Sequence, residues 1–347
     1  MRNLTFGCTF YMKHILLVFT GGTIGSQVEH GAIDTHAGAG FRLLNLFEQH
    51  YRDHGRIKFT RLQPVQILSE NLQPGDWRQI IQAVESQDLS RFDGIIVTHG
   101  TDTLAFSAAT LGVYFNNLKI PLLLVSSNYP LDNPQANGLN NFICAVEYIR
   151  QENRGGVFVP YQNPGQPMHV HIGTRLNSCL PLSGDFISVR SQPYMTFESG
   201  GFTPLHDLPP RLNPVIGLQN QFARILLIKP YPGLNYDCFT LENVDAVLHD
   251  LYHSGTACAS EQWGQTGSLP AFCDRCQKNG IPIYMAPSVK SAEAYSSTQQ
   301  ILARGGKMIW NTSLESAYAK LGLAYASFSD IKVIDDFLDR NAAWEQL

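Results

Sequence analysis

Short apolar runs alternate with amphipathic stretches along the first half of the chain. The apolar runs are rich in β-branched and aliphatic residues, which predicts buried strands at 14–20, 57–68, 94–98, 121–125 and 156–159. The stretches between them place apolar residues at helical spacing, which predicts helices at 41–51, 76–86, 103–115 and 137–151. Strands that alternate with helices form parallel βαβ units with right-handed crossovers, so we expect an α/β fold.

The pattern changes near residue 191. Residues 191–220 are rich in proline, glycine and polar residues without a period, which predicts a linker. An α/β rhythm resumes beyond it, with predicted strands at 223–229, 246–251 and 281–286. We therefore predict two α/β domains: residues 13–190, with a mostly parallel sheet flanked by helices, and a smaller C-terminal α/β domain at 221–347. A cleft between two domains is a common position for a ligand.

The composition is that of a globular protein, with 44% hydrophobic and 16% charged residues. A net charge of −4 without a basic run argues against a nucleic-acid surface. No window approaches the roughly 18 consecutive apolar residues of a membrane span. The first apolar run passes directly into glycine-rich sequence without a small-residue cleavage site, so we expect a buried strand there rather than a signal peptide.

Seven cysteines, an odd number spread along the chain, do not suggest a disulfide framework. Cys273 and Cys276 form a CxxC pair, but a second ligand pair is missing nearby, so zinc binding is only weakly indicated. We expect reduced thiols, as in a cytoplasmic protein, and no bound metal.

Polar residues crowd the end of one predicted strand, in the stretch IIVTHGTDT at 95–103. Thr98, Thr101, Asp102 and Thr103 could cap the helix that follows, because threonine and aspartate satisfy free N–H groups at a helix start. They could instead face a ligand, since ligands of open α/β sheets bind at the carboxyl ends of strands. We expect His99 to be a buried, hydrogen-bonded histidine rather than a base.

Two other predicted strands end in small polar residues. The first is followed by GGT, with Thr23 after two glycines, but this turn lacks both the GxGxxG spacing and a Walker lysine, so a nucleotide site is weakly indicated. The second leads to Ser69 in the stretch LSENLQPGDW. Successive strands thus bring hydroxyls and a carboxylate to one sheet edge, which favours a ligand site over helix caps.

Motifs along nearly the whole chain, from about Lys13 to Tyr325, resemble one known family. They are TGGTIG, ILSENLQPGDW, THGTDTLAFSA, PLLLVSSNYPL, FISVRSQPYMTFESGG, LLIKPYPG and NTSLESAYAKLGLAY. In these motifs the sequence resembles the bacterial L-asparaginase family and is most similar to its cytoplasmic type I branch. The resemblance implies hydrolysis of L-asparagine to L-aspartate and ammonia without metal or cofactor, by a cytoplasmic homodimer or homotetramer.

The resemblance also implies catalytic residues. Thr23 would be the nucleophile that attacks the side-chain amide and forms an acyl-enzyme. Thr101 would lie at the reacting carbon and position the hydrolytic water, and Asp102 would bind the substrate α-ammonium group. A threonine is a weak nucleophile, so it needs an activating base.

The residues that the resemblance assigns to substrate binding lie beside these. Ser69, with the backbone around Glu70, would hold the substrate α-carboxylate, since a carboxylate needs hydroxyl and N–H donors. Ser127 would line the amide pocket. Gly22 and Gly100, which flank the threonine motifs, complete the predicted set.

The sequence departs from the family where the activating groups are expected. The family has a tyrosine on the loop after the first motif, but residues 29–33 here are EHGAI. It also has a lysine after the strand at 156–159, whereas this chain has no lysine between Lys119 and Lys229, and Asn177 or Ser178 takes that position. Either the chain binds a small amino acid or amide with impaired catalysis, or His30 or His171 substitutes as the base, because histidine titrates near neutral pH.

Three functional classes follow from these residues. The motifs favour an amidohydrolase that acts on asparagine or a related amide, and the missing tyrosine and lysine favour a binding protein with impaired catalysis. The third class is a transfer-RNA-dependent amidotransferase subunit of the same fold, which the absence of an additional N-terminal domain and of a basic surface disfavours. The expected partner is a small amino-acid amide, with no nucleic acid and no membrane.

Overall fold

The computed structural model of the chain contains two β-sheets covered by helices and a separate antiparallel pair of short strands. It describes residues 12–22, 24, 26–29, 32–35, 39–152, 154–210, 212 and 214–347. The strands are β1 (Lys13–Val18), β2 (Ser26–Glu29), β3 (Ala32–Thr35), β4 (Ile57–Leu62), β5 (Gly94–Thr98), β6 (Pro121–Val125), β7 (Gly156–Gln162), β8 (Met168–Ile172), β9 (Met195–Glu198), β10 (Gly201–Pro204), β11 (Ile225–Ile228), β12 (Ala246–His249), β13 (Ile283–Ser288) and β14 (Lys307–Trp310). The helices are α1 (Ala39–His50), α2 (Pro74–Glu85), α3 (Leu104–Tyr114), α4 (Gly138–Gln151), α5 (Leu269–Lys278), α6 (Ser296–Ala303), α7 (Leu314–Ser327) and α8 (Ile331–Leu338).

The larger sheet has the strand order β10-β9-β8-β7-β6-β5-β1-β4, with β4 at one edge. The strands from β4 to β7 are parallel, and β7 to β10 are antiparallel. The smaller sheet, β11-β12-β13-β14, is parallel throughout. This arrangement confirms the predicted α/β fold with a second, smaller sheet.

The central strands β5 and β6 are buried along their whole length. Helices α1 and α4 cover one face of the sheet, where Phe47 packs edge-on against Phe142 at a centroid distance of 5.3 Å. Helices α2 and α3 cover the other face, and the Trp77 Nε1–H donates to the Ser107 hydroxyl between them at 2.8 Å. Because both faces are covered, these strands read as continuous apolar runs, and their predicted bounds match those in the structure.

Several predicted strands differ in length from those in the structure, and two of them show why. The strand predicted at 57–68 ends at Leu62. Pro64 follows two residues later, and the strand stops before it because proline has no N–H group to donate to a strand ladder. The strand predicted at 156–159 continues to Gln162, where it pairs with β8. Predicted bounds fail at such points because pairing, and not local sequence alone, decides where a strand ends.

The stretch 191–220, predicted as a linker, contains the antiparallel pair β9 and β10. Met195 of β9 pairs with Val170 of β8, so this hairpin extends the larger sheet. Strands of only four residues carry too little periodicity to be recognised in sequence. The division of the chain into domains at 13–190 and 221–347 stays a prediction.

The segment 342–347 joins the two sheets. The Thr174 hydroxyl donates to the Ala343 carbonyl at 2.6 Å, and the Arg175 guanidinium donates to the Gln346 carbonyl at 2.7 Å. Glu345 forms an ion pair with Lys320 of α7 at 2.8 Å, and both side chains are fully buried. Within the described ranges, no helix is long and apolar enough to cross a membrane.

Candidate functional site

The end of β1 is tied to the chain that follows β4. The Ile67 N–H donates to the Thr20 carbonyl at 2.9 Å, and the Gly22 N–H donates to the Ile67 carbonyl at 3.0 Å. Gly21 and Gly22 have φ angles of 96° and 76°, a region that side chains other than hydrogen rarely adopt. The two glycines therefore turn the chain sharply at the carboxyl end of β1 and bring the residues after Ile67 close to it.

Three of the predicted site residues, Gly22, Gly100 and Ser69, pack against one another at this sheet edge. A Cβ atom on Gly22 would lie 2.2 Å from the Gly100 nitrogen. A Cβ atom on Gly100 would lie 2.4 Å from the Ser69 Oγ atom. No side chain larger than hydrogen fits at either glycine without displacing its neighbour, so the close approach itself requires glycine.

Ser69 and Asp102 form the polar centre of the site. The Ser69 hydroxyl donates to the Asp102 Oδ2 atom at 3.1 Å, and the Ser69 Oγ atom accepts the Asp102 N–H at 3.3 Å. Ser69 is buried, whereas Asp102 and the neighbouring Glu70 are exposed. The hydroxyl thus holds a solvent-accessible carboxylate in a fixed direction.

Thr103 supports this pair instead of capping a helix. It occupies the N-cap position of α3 but makes no side-chain cap hydrogen bond. Its hydroxyl donates to the Ser69 carbonyl at 2.9 Å. The cap interpretation of this threonine was wrong because a tertiary contact takes the hydroxyl.

Thr101 is half-buried between these residues. Among the hydrogen bonds of the described residues, none involves its hydroxyl. Thr23, the predicted nucleophile, and His30, one of the two predicted substitute bases, lie outside the described residues. The described chain therefore supplies no base to Thr101.

The positions predicted to replace the family lysine belong to a loop at 176–188. The Ser178 N–H and hydroxyl donate to the Glu315 Oε1 atom of α7 at 2.8 and 2.7 Å. The Asn177 N–H donates to the Ile187 carbonyl at 3.1 Å. Ser178 is thus bound to a carboxylate of the smaller sheet's helix layer, which explains why a serine is accommodated there.

Cys179, the next residue of this loop, was not predicted as part of the site. Burial and then the Asp185 and Asp102 carboxylates raise the pKa of the Cys179 thiol. A neutral thiol consequently lies in the electrostatic field of Asp102 on this side of the site. A lone cysteine in a loop carries no sequence signal that would have identified it.

His171, the second predicted substitute base, is enclosed in the core. Its Nδ1 atom lies 2.7 Å from the Ser188 hydroxyl oxygen, and it pairs with Val159, in the middle of β7. Burial, and then the nearby His169, lowers the pKa of His171 to about 3. The sequence could not show that β8 runs antiparallel, which places this histidine away from the carboxyl edge of the parallel strands.

The structure confirms the expectation for His99, which is buried at the end of β5. Its Nδ1–H donates to the Gly100 carbonyl at 2.8 Å, because a carbonyl oxygen can only accept. Burial is the largest of the effects that lower the pKa of this histidine, so the ring is neutral. It stabilises the backbone that carries Thr101 and Asp102.

Ser127 lies at the same sheet edge, at the end of β6, and is fully buried. Its hydroxyl donates to the Tyr129 carbonyl at 2.5 Å, which turns it toward its own loop. A Cβ atom on Gly138 would lie 2.7 Å from the Ser127 Cβ atom, so the first turn of α4 packs closely on it. The serine therefore forms a compact wall beside the edge at which Ser69 and Asp102 meet.

Cys273 and Cys276 are buried on α5. Burial raises the pKa of each thiol to about 12, so both are protonated at neutral pH. In the part of the chain that the structure describes, no group of three or more His, Cys, Asp or Glu side chains has the arrangement of a metal site. These cysteines belong to the apolar core of the smaller sheet.

Comparison with known proteins gives one family match and several relatives. Residues 14–208, more than half of the chain, match the family model described as Asparaginase, N-terminal. A glutamyl-tRNA(Gln) amidotransferase subunit of Aeropyrum pernix is 26% identical over 355 residues, which cover 96% of this chain and 79% of the relative. The corresponding subunit of Thermococcus kodakarensis is 25% identical over 345 residues, which cover 96% and 76%.

A solved structure has the same architecture. The thermostable L-asparaginase from Thermococcus kodakarensis aligns with a TM-score of 0.76 and 22% identity, over 96% of this chain and 99% of that chain. At this identity the likeness concerns the fold alone.

The relatives correct the expectation about partners. We expected a homodimer or homotetramer with no nucleic-acid partner, but the relatives are named as a subunit of an enzyme that acts on a tRNA. The expectation rested on the net charge and on the absence of a basic run in the sequence. Net charge averages over the whole surface, so it does not exclude a local basic region.

Proposed function

Because the chain belongs to the asparaginase family, we propose that it cleaves the side-chain amide of a small amino acid as a subunit of a tRNA-dependent amidotransferase. The names of the relatives, asparaginase and amidotransferase, both refer to the chemistry of a carboxamide group. The observation that carries the proposal is the Ser69–Asp102 pair at the edge where the ends of β1 and β5 meet.

The pocket recognises an amino acid by its two charged ends. The exposed Asp102 carboxylate takes the substrate α-ammonium group, since an ammonium ion in a partly buried site needs a fixed anion. The N–H groups beside Ser69 take the α-carboxylate, because the single Ser69 hydroxyl proton is donated to Asp102. The close packing of Gly22 on Gly100 leaves backbone, and not side chains, at the floor of this pocket.

The proposed reaction has two steps. The Thr23 hydroxyl attacks the side-chain carbonyl carbon, its proton passes to the amide nitrogen, and the C–N bond breaks to release ammonia. Water, positioned by Thr101, then attacks the resulting ester, which releases the acidic amino acid and restores the threonine hydroxyl. Neighbouring N–H dipoles stabilise the oxyanion of each step.

The environment of Thr101 supports the proposal that the isolated subunit lacks part of its catalytic machinery. Its hydroxyl has no hydrogen-bonding partner among the described residues, and the 176–188 loop contains no cationic side chain. The lack of a positioned general base typically slows such a reaction by about 10² to 10⁴. We propose that the isolated chain turns over slowly and that the assembled enzyme supplies the missing activation.

The test is ammonia release from glutamine and from asparagine, by the chain alone and together with the remaining amidotransferase subunit and glutamylated tRNA. We expect slow release by the chain alone and a large increase in the assembly. Thr23→Ala and Asp102→Asn should abolish release in both. The proposal fails if the assembled enzyme releases no more ammonia than its Thr23→Ala variant.

A free-standing asparaginase is the second candidate. It is favoured by the structural comparison, in which the alignment covers 96% of this chain and 99% of the L-asparaginase. Steady ammonia release from asparagine without tRNA or another subunit would establish this function. If aspartate raises the melting temperature but no ammonia is released under any condition, the chain is a binding protein instead. The resemblance to the bacterial type I branch stays a prediction.

A further inference from the structure

The loop at 176–188 folds back on itself like a hairpin. Leu176 and Ser188 form an antiparallel β-bridge at its base, so a first limb, 176–180, lies beside a second limb, 184–188. The structure describes the whole loop, and it contains neither a helix nor a longer strand. Its position therefore depends on the side chains that bind each limb.

The second limb is held by the larger sheet. The Asn163 side chain donates to the Phe186 carbonyl at 2.8 Å and accepts the Phe186 N–H at 2.9 Å. The Tyr161 hydroxyl donates to the Gly184 carbonyl at 2.8 Å. Tyr161 belongs to β7 and Asn163 follows it directly, so this limb is fixed to the end of β7.

The first limb is held by a helix of the smaller sheet. The Ser178 N–H and hydroxyl both donate to the Glu315 Oε1 atom, at 2.8 and 2.7 Å. Glu315 is buried in the first turn of α7, and the neighbouring Ser316 hydroxyl donates to the Thr174 carbonyl at 2.5 Å, just before the loop. Hydrogen bonds to a charged acceptor are roughly twice as strong as neutral ones. The two limbs are thus tied to different sheets.

The Glu315 carboxylate depends on these donors. In the part of the chain that the structure describes, Glu315 takes part in no ion pair. The amino end of α7 favours a negative charge in its first turn. The Asp250 carboxylate repels it, since burial and then the charge of Glu315 raise the pKa of Asp250. Ser178 therefore provides the contact that directs this carboxylate toward the loop.

The first limb brings Cys179 close to Asp102. After burial and the charge of Asp185, the Asp102 carboxylate raises the pKa of the Cys179 thiol. The tip of the loop reaches the chain that follows β6, because a Cβ atom on Gly184 would lie 3.5 Å from the Asn128 Cβ atom. The loop thus extends from α7 to the chain after β6 and borders the Asp102 side of the site.

We infer that Glu315 is a positioning residue of the Ser69–Asp102 site, because through Ser178 it holds the loop that borders the amino-acid ligand. The inference rests on the proposed function for the ligand and on the contacts of Ser178 for the loop. An ion pair is stronger where water is excluded, so an ammonium group on Asp102 is bound more tightly beside a fixed loop. Loss of the Glu315 acceptor should weaken ligand binding without touching the reacting atoms.

The first test follows Cys179 by its alkylation with iodoacetamide. The background Cys8→Ser/Cys238→Ser/Cys258→Ser leaves Cys179 as the one cysteine of the described chain that is not buried. In this background, Glu315→Met should accelerate alkylation at least about fivefold, because the freed limb exposes the thiol. Glu315→Gln should stay within about twofold of the background, since its amide oxygen still accepts from Ser178. The two variants match in size and both remove the charge, so their difference reports the acceptor.

The second test separates ligand binding from turnover. Glu315→Met should raise the KM for amide cleavage and the Kd for aspartate about tenfold and change kcat less than about threefold. Ser313→Ala is the matched control, because it removes the cap of the same helix, where the Ser313 hydroxyl accepts the Ser316 N–H at 3.3 Å. This variant should lose stability but keep the wild-type KM and alkylation rate. Melting temperatures and circular dichroism verify that the variants are folded.

The outcomes separate this inference from the proposed function. If wild type neither releases ammonia nor binds aspartate, the proposed function fails, whereas faster alkylation in Glu315→Met than in Glu315→Gln still supports the anchoring of the loop. The inference is overturned if these two variants are alkylated at equal rates, or if Ser313→Ala changes alkylation and KM as much as Glu315→Met does. It is also overturned if an active wild type and Glu315→Met have the same KM and the same Kd.

Discussion

The Ser69 hydroxyl and the Asp102 carboxylate orient each other across two loops that are 33 positions apart in the sequence. The Ser69 hydroxyl donates to the Asp102 carboxylate at 3.1 Å, and the same oxygen atom accepts the Asp102 backbone N–H at 3.3 Å. Such a reciprocal pair fixes the direction of the carboxylate before a ligand arrives. Preorganisation of this kind lowers the entropic cost of binding.

Ser69→Ala should therefore weaken amino-acid binding while leaving the protein folded. A hydrogen bond to a charged group contributes about 1.5 to 3 kcal/mol, so we expect the Kd for aspartate or glutamate to rise by about 10- to 150-fold. Calorimetric titration measures this change. Ser90→Ala is the control, because Ser90 also donates to a carboxylate, Asp88 at 2.6 Å, but on the exposed surface. Equal Kd values for Ser69→Ala and wild type would contradict the orienting effect.

Gly22→Ala should disrupt the same site by displacing its backbone. The φ angle of Gly22 is 76°, and the added methyl group would lie 2.2 Å from the backbone nitrogen of Gly100, which cannot rotate away. We expect a loss of about 1 to 3 kcal/mol in the free energy of unfolding and no measurable amide cleavage. Urea denaturation and ammonia release measure the two effects.

Gly55→Ala is the matched control for that substitution. Nothing lies within 4 Å of a Cβ atom at Gly55, and its φ is not in the left-handed region. A glycine-to-alanine change at a compatible position stabilises by about 0.4 to 1 kcal/mol, because it restricts the unfolded chain. If both variants had the same stability, the close approach of Gly22 to Gly100 would not be essential.

Some elements and contacts of this fold could be predicted from the sequence, and others could not. β5 and β6 were predicted with their observed bounds, because strands covered on both faces are apolar throughout. The meeting of Gly22, Ser69 and Asp102 could also be predicted, since carboxyl ends of parallel strands share an edge. The contact of Ser178 with Glu315, 137 positions away, could not, because no local pattern encodes a tertiary hydrogen bond.

Acid should destabilise the protein through His171. Its pKa is about 3 in the folded chain, below the ordinary value of 6.5, so only the unfolded chain takes up a proton between these values. The stability is therefore complete above pH 6.5 and is lost as the pH falls. Linkage predicts a loss of about 2 kcal/mol from this residue between pH 6.5 and 5.

His171→Asn removes this dependence, and urea denaturation at several pH values measures it. Below pH 6 the free energy of unfolding should fall less steeply in the variant than in wild type. The two slopes should differ by about 1.4 kcal/mol per pH unit, which corresponds to one proton. His54→Asn, at an exposed position, should leave the wild-type slope unchanged. Identical slopes for wild type and His171→Asn would show that the buried histidine does not contribute.

The fully buried ion pair of Lys320 and Glu345 gives a further stability prediction. Lys320→Met leaves the Glu345 carboxylate buried without its cation, which should cost about 3 to 5 kcal/mol. Adding Glu345→Gln should recover part of that loss, because the neutral amide no longer needs a counterion. Urea denaturation of the single and double variants gives the coupling energy, with Lys332→Met as the exposed control. Costs that simply add would contradict a direct interaction.

The segment 342–347 also sets an order of events while the protein is being made. Thr174 and Arg175 bind carbonyl groups that lie 169 and 171 positions later in the sequence. Ribosomes add about 5 to 20 residues per second, so this part of the larger sheet waits about 10 to 30 s for its partners. The larger sheet is translated first, but its contacts with the segment 342–347 can form only after that segment has left the ribosome. Folding of the larger sheet therefore cannot be complete before the smaller sheet has been translated.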